Sequence, residues 1–584
     1  MSFPQGQKSH YIYPYQNSKI LSHSRINFQG ANIPTIIRLL KLKCVHYFFI
    51  IRYLTIAYIL LTLISCKDSS RENRDHLVFR YNQYENVSSL DPAFARDVAN
   101  IWSTNQLFNS LIQLDDSLHI KPDIAKRWEI SEDALTYTFI LRDDVKFHKH
   151  EQFKTKDSTR YVVAEDFVYS FNRLVDPKVA SPGNWVLKTV DTYTAVNDTI
   201  FEIKLKKPFP AFLGLMSMRY CSVVPKEVVS FYGSEFRANP IGTGPFKFKL
   251  WEENIKLVLR KNELYFEKDK NGKQLPYLEA VAITFLPDKQ SEFLQFAKGN
   301  IDLLNSLDAS YKDELLTPSG KLREKYKERI NISKGSYLNS EYLGFYLDTD
   351  KKEIQSKLLR KAVNHGFDRK KMITYLKNGI GTPAIHGFIP KGIPGFNSIP
   401  GYEYDPVKSR KLVETYKKQT GNNNPTIRIA TDANYQSICE FIQRELEKVG
   451  LNIIVDVMAP STIRQKKWKG ELESFRASWI ADYPDAENFL SPYYSKNFTP
   501  HGPNYTHFKN ETFDRLYEES FLITDIKIRE QHYAKMDSII IANAPIVPLY
   551  YDQVVRFTQK NVKGLTNNPQ NFLVLKRVWK EPIK

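Results

Sequence analysis

Cysteine is scarce, with four in 584 residues, at positions 44, 66, 221 and 439. That excludes a disulfide-stapled scaffold, and the lack of any CxxC removes the usual zinc and dithiol spacings. Long apolar runs are almost as rare. One stands out, within residues 38–66, and the mean hydropathy is −0.43, which excludes a polytopic membrane protein. No GxxxxGK[ST], HExxH or GxSxG occurs, so a P-loop, a zincin helix and a nucleophile elbow are all missing. Gly242-Thr243-Gly244-Pro245-Phe246-Lys247 lacks the spacing of a phosphate loop, and Pro245 removes an amide donor from it. His148 and His150 form an HxH beside Glu151, but two ligands do not make a metal site, and a solvated loop is expected there. Nothing argues for an enzyme, and no cofactor is expected.

Acidic residues are absent from the first 65 positions, which hold Lys8, Lys19, Arg25, Arg38, Lys41, Lys43 and Arg52. Without those seven, residues 66–584 carry 76 basic and 65 acidic side chains, a mild net +11. No clustered Lys/Arg run tracks a phosphate backbone, so a nucleic-acid partner is not expected.

The basic flank Arg38–Lys43 leads into an apolar stretch ending Leu63-Ile64-Ser65-Cys66. Positive region, apolar region, then a small residue is the order of a secretory signal. Arg52 interrupts the run, leaving Tyr53–Ser65 clean, short of the ~20 residues of a spanning helix. The ending also matches a bacterial lipoprotein signal, which implies cleavage before Cys66 and lipid on that residue; an uncleaved signal anchor and a core helix are the competing readings. With Cys44 in the leader and Cys66 acylated, Cys221 and Cys439 remain. Nothing favours their pairing, and free buried thiols are expected.

The body alternates strand and helix signals without a repeat. Leu135, Tyr137, Phe139 and Leu141 alternate at period two, as do Phe201, Ile203 and Leu205, and Ile255, Leu257 and Leu259. Ile101, Thr104, Phe108, Leu111 and Ile112 fall at helical spacing after Asp91-Pro92. Ile438, Phe441, Ile442, Leu446 and Val449 form a stripe that stops at Gly450, before the alternating Ile453, Val455 and Val457. Helix, tight stop and strand are the grammar of an α/β layer. Gly242 and Gly244 are expected to supply positive φ around Pro245, and Asp166 to cap a helix beginning at Phe167.

A set of ordered motifs then becomes specific. Ser89-Leu90-Asp91-Pro92, Leu107-Phe108-Asn109-Ser110-Leu111-Ile112 and Pro122-Asp123-Ile124-Ala125 open it. Ala164-Glu165-Asp166-Phe167, Gly242-Thr243-Gly244-Pro245-Phe246, Arg360-Lys361-Ala362-Val363-Asn364, Asp368-Arg369 and Ala544-Pro545-Ile546-Val547-Pro548 follow. Their order over residues 77–584 resembles the family 5 extracellular solute-binding proteins, especially the oligopeptide-binding ones. The resemblance implies a bilobal α/β fold of the large three-part, periplasmic-binding-protein type, with two lobes joined by a two-segment hinge. On that pattern residues 1–65 are a leader, and 66–105, 232–338 and 549–584 build lobe one. Residues 106–231 form a subdomain inserted in it, and 339–548 form lobe two.

The resemblance also implies the site. In Arg476-Ala477-Ser478-Trp479-Ile480-Ala481-Asp482, the position of Asp482 pairs with a peptide α-ammonium and that of Arg476 with a peptide carboxylate. Residues flanking Trp479, Ser478 and Ile480, offer backbone groups to the peptide as if to an added strand, and Arg96 and Val98 do so from the other lobe. Reading backbone and one terminus accepts many sequences. Enclosing an ammonium is costly unless a carboxylate faces it. Asp485 is assigned to capping the next helix. A tyrosine that lines the family's cleft is replaced by Gly183, with Trp185 nearby, and Trp468 lies near where the family carries another tryptophan. The implied partners are an oligopeptide, an ABC permease with its ATPase subunits, and a membrane through lipid on Cys66. The implied receptor is a monomer held outside the cytoplasm. A non-peptide ligand (nickel, haem, opine or oligosaccharide) and a surface receptor or adhesin without transport are the alternatives.

Overall fold

The computed structural model describes residues 75–582 other than Ala309 and Gly395, so the leader and Cys66 lie outside the described residues. Among the described residues no helix is long and apolar enough to cross a membrane.

Two long strands, Ile330–Phe345 and Ile546–Gln559, organise the fold. They run antiparallel at the middle of an eleven-stranded sheet. One half of the pair is flanked by Leu303–Asn305, Val78–Asn82, Ala280–Thr284, Lys256–Lys261 and Phe246–Glu252. The other half is flanked by Ser474–Ile480, Thr426–Thr431 and Asn452–Val457. The ladder pairs Ile330 with Gln559 through to Ser336 with Gln553, lapses, and resumes at Ser340 opposite Tyr551. In the gap, Leu338 N–H donates to Pro569 O at 2.7 Å, and Leu338 O accepts from Ala481 N–H at 2.9 Å. Two strands that each serve both lobes, with the pairing interrupted where they cross, make a bilobal molecule with a two-strand hinge.

Lobe one carries an inserted antiparallel sheet in the order Ala125–Ile130, Thr136–Leu141, Ile200–Leu205, Val190–Asn197. Tyr137, Phe139 and Leu141 are buried, as are Phe201, Ile203 and Leu205. The helix Ala164–Val175 covers this sheet, setting Phe167 and Phe171 at 5.6 and 5.5 Å from the Phe201 ring. In lobe two, the stripe Ile438, Ile442, Leu446 faces one sheet side and Phe475, Ala477 and Phe489 fill the other. Gly450 has φ +83°, the left-handed stop that a Cβ would strain. Cys221 and Cys439 are free and buried.

Several local expectations are corrected. The helix Val98–Leu107 ends one turn early, and Ile112 belongs to a strand. Where the helix ends, Gly244 N–H donates to Leu107 O at 2.8 Å, and neither Gly242 nor Gly244 has positive φ. A Cβ on them would lie 2.2 Å and 2.7 Å from Leu107 O, so they are glycines because two backbones meet there. His148 is not solvated. It is buried between the same glycines, accepting from Gly242 N–H at 3.2 Å and donating to Gly244 O at 3.1 Å. Burial pushes its pKa down to about 4, so it is a neutral structural group. Asp166 sits inside its helix and reaches back to Val163 N–H at 3.0 Å while Arg160 grips it with two nitrogens. Ile255 precedes its strand and is exposed.

Candidate functional site

The strand Ser474–Ile480 pairs along its full length with Phe345–Asn339 on one side. On its other side Thr426–Thr431 meets it only at Ser474 and Phe475. Among the described residues no strand lies along the edge from Arg476 to Ile480, so backbone donors and acceptors there are open to an added strand. Ile480 is exposed and Ser478 and Trp479 are half-buried.

Just past this edge the chain turns, and Asn488 fixes the turn. Its Oδ1 accepts from Trp479 Nε1 at 3.1 Å and from Asp482 N–H at 3.2 Å, and its Nδ2 lies 3.5 Å from Asp482 Oδ2. Asn488 is buried whereas the Asp482 side chain opens to solvent. No cation pairs with Asp482 among the described residues. Crowding by the protein around it raises the pKa of its carboxyl, and Asn488 opposes the rise. This is an open carboxylate in a partly dehydrated recess, held in place from behind. Asp485 accepts from Glu487 N–H at 2.9 Å, but the cap position of the short helix Glu487–Leu490 is held by Ala486, so Asp485 stands one residue before the cap expected of it.

In lobe one, the turn Pro92–Phe94 packs against Arg219–Cys221. Asp91 caps the turn Pro92–Phe94 and takes two hydrogen bonds from Arg173, at 3.1 and 2.6 Å. Asp97 caps the helix that starts at Val98. Exposed Arg96 lies between these caps, and exposed Val98 opens the helix just past Asp97. The Tyr220 ring lies over Gly183, where a Cβ would come within 2.3 Å of it. Burial, helped by the negative charge of Asp482 and opposed by Arg96, pushes the Tyr220 phenol up to about 12. The absence of a side chain at Gly183 makes room for the Tyr220 ring. Trp185 and Trp468 are exposed, at 38% and 43%.

Beside Asp482 the lobes touch. Phe209 of the inserted subdomain lies 6.1 Å from the Tyr483 ring and 5.5 Å from the Phe521 ring, and Gly214 faces Pro484. Behind that contact, Tyr483 and Tyr517 both donate to buried Glu487.

Arg476 is not free. It pairs with Glu341, whose side chain is 2% exposed, and stacks on Tyr435. Glu341 also accepts from Asn339 Nδ2 at 3.0 Å. Sequence reasoning passed over Asn488, Tyr220 and Glu341. Glu341 had a signal, a charged residue directly before the apolar run Tyr342-Leu343-Gly344-Phe345; Asn488 and Tyr220 had none. No cluster of His, Cys, Asp and Glu among the described residues could hold a metal ion.

Two α/β lobes that share two long strands, with an open strand edge and a carboxylate unpaired among the described residues near where they touch, have the architecture of a bilobal solute-binding protein. Residues 119–500 match the family model described as bacterial extracellular solute-binding proteins, family 5 Middle, and the chain belongs to that family. It is 27% identical over 559 residues to Heme-binding protein A of Haemophilus influenzae, covering 89% of this chain and 97% of that one. It is 24% identical over 485 residues to Glutathione-binding protein GsiB of Escherichia coli strain K12, covering 82% and 90%. Among solved structures, the periplasmic binding protein DppA of Helicobacter pylori in complex with the peptide STSA superposes with a TM-score of 0.71 at 27% identity, covering 86% and 98%.

Proposed function

We propose that the protein is a lipid-anchored receptor of the cell envelope that captures oligopeptides and hands them to the permease of an ABC importer. The observation that carries the reading is Asp482, an unpaired carboxylate fixed by Asn488 and open at the lobe junction. A peptide α-ammonium is the complementary group. The edge from Arg476 to Ile480 receives the peptide backbone from lobe two, and the stretch holding Arg96 and Val98 receives it from lobe one. Hinge closure removes water and strengthens the Asp482–ammonium attraction. Lipid on Cys66 keeps the receptor at the membrane. The named ligands of the relatives are haem, glutathione and peptides, so the fold alone does not select among them. The demand for a free amine does. Calorimetry of matched peptides tests it: free amino termini bind, N-acetylated ones bind at least about tenfold more weakly. Equal affinity for the two overturns the reading.

A further inference from the structure

The net charge of the body, mild when averaged over its length, is concentrated. Residues 351–420 hold fifteen basic and five acidic side chains, a net +10 out of the +11 carried by residues 66–584. Two helices of lobe two, Lys357–His365 and Pro406–Thr420, pack together in this stretch, tied by Ser409 Oγ donating to Ala362 O at 2.7 Å. Ser409, Val413 and Tyr416 form the buried side of the second helix. Its opposite side carries Val407, Lys411 and Lys418 in one stripe at helical spacing, with Lys408 on the flank, and all four are exposed. Val407 is 73% exposed, an aliphatic side chain standing in water among ammonium groups.

Lys357 and Lys361 stand one turn apart on the first helix, beside Lys408. Burial, and then the like charge of Lys357 and Lys408, lowers the pKa of Lys361, so the three ammonium groups feel one another. None of the five lysines has a carboxylate within ion-pair distance among the described residues. Lys357 has a neutral partner, Asn543 Oδ1 at 3.1 Å, and Glu414, beside the stripe, is paired with Lys417 at 3.2 Å. Elsewhere exposed lysines meet an anion, as Lys325 meets Glu314 at 2.6 Å and Lys496 meets Glu518 at 2.7 Å. Like charges a turn apart weaken a helix, and here nothing on the chain offsets them.

We propose that this face of lobe two rests on an anionic phospholipid surface, with Lys357, Lys361, Lys408, Lys411 and Lys418 among the headgroups and Val407 entering the interface. Lys408 to Lys418 covers about 15 Å of helix, too long for one small anion and suited to a layer of phosphates. The inference rests on the anchored reading above, which brings a membrane within reach. Each lysine near such a surface strengthens the attachment about fivefold, and salt screens the effect. The lipid anchor then fixes where the receptor is held, and the lysine face fixes which side of it meets the membrane.

The test reconstitutes the full chain, recovered from cell membranes, into vesicles of phosphatidylcholine alone or with about 30% phosphatidylglycerol, and follows lysine acylation by mass spectrometry. On the anionic vesicles Lys408, Lys411 and Lys418 are expected to react at least about threefold more slowly than on the neutral ones, and ~1 M salt removes the difference. Lys204, exposed on the inserted sheet, reacts alike on both. Combining Lys357→Gln, Lys361→Gln, Lys408→Gln and Lys411→Gln removes the protection of Lys418 and leaves peptide affinity as it was. Equal acylation on the two vesicles overturns the inference, as does protection seen only in cell membranes, which would assign the face to an acidic protein. A chain that stays free of both vesicles overturns the anchored reading along with it.

Discussion

Asn488 holds the backbone N–H of Asp482 at 3.2 Å through an oxygen that also accepts from Trp479 Nε1. The proposed recognition carboxylate is therefore aimed by a neutral, buried amide six residues further on. Asn488→Ala leaves an indole N–H and a backbone N–H without a partner, each costing ~1–3 kcal/mol if it stays dry. Denaturant unfolding is expected to show a loss of about 1–3 kcal/mol, with peptide affinity about tenfold lower although Asp482 is intact. Asn488→Asp restores an acceptor but sets a second negative charge beside Asp482, and affinity is expected to fall rather than recover. Unchanged affinity in both variants removes Asn488 from the site.

What could be read in advance follows a physical divide. Period-two burial made the strands at Tyr137, Phe139 and Leu141 visible, because alternation needs only neighbours in sequence. The family resemblance carried the bilobal class through widely spaced motifs. The helix from Val98 was overrun because Phe108 and Leu111 keep helical spacing. The helix end instead meets the Gly242–Gly244 backbone, more than a hundred residues away. The same holds in the cleft: Asp482 and Trp479 stand in one segment, whereas Tyr220 over Gly183 and Glu341 against Arg476 are meetings between distant elements. No local pattern announces them.

Asp482→Ala is expected to cost roughly 2–5 kcal/mol of peptide affinity, the range for truncating one partner of an enclosed charge pair. Since Asp482 has no ion-pair partner among the described residues, its removal is expected to leave folding stability nearly unchanged. Calorimetry and thermal unfolding on one preparation separate the two effects. A large loss of stability with unaltered affinity would make Asp482 a scaffold residue.

Cys66 precedes the described residues, and its role rests on the signal pattern at Leu63-Ile64-Ser65-Cys66. Cys66→Ser is expected to leave the chain unprocessed and free of lipid, read as loss of label in cells fed radioactive palmitate. The body should still bind peptide once purified, because the recognition groups lie between Arg96 and Asn488. Label incorporated at the normal level defeats the anchor.

Glu487 links the lobe contact to pH. Burial pushes its pKa up to about 7, with Asp485 and Asp482 adding to the rise and the hydroxyls of Tyr483 and Tyr517 opposing it. An unfolded glutamate titrates near 4.5, so between there and neutrality the native state holds a proton that the unfolded state has released. Stability from this group is thus fully present below pH ~4.5 and declines as pH rises toward 7, by roughly 3 kcal/mol. Asp537 and Asp123, raised by burial to about 7 and about 6, act in the same direction. The native curve alone does not isolate Glu487, but its difference from Glu487→Gln does. Urea unfolding from pH 4.5 to 7.5 is expected to show the native protein losing stability relative to the variant as pH rises. Because Tyr483 donates to Glu487 and packs on Phe209 across the lobes, the same titration should loosen the closed form. A difference curve that is flat, or that rises with pH, would leave the two tyrosine hydroxyls serving an ordinary ionised carboxylate, and the lobe contact with no proton switch behind it.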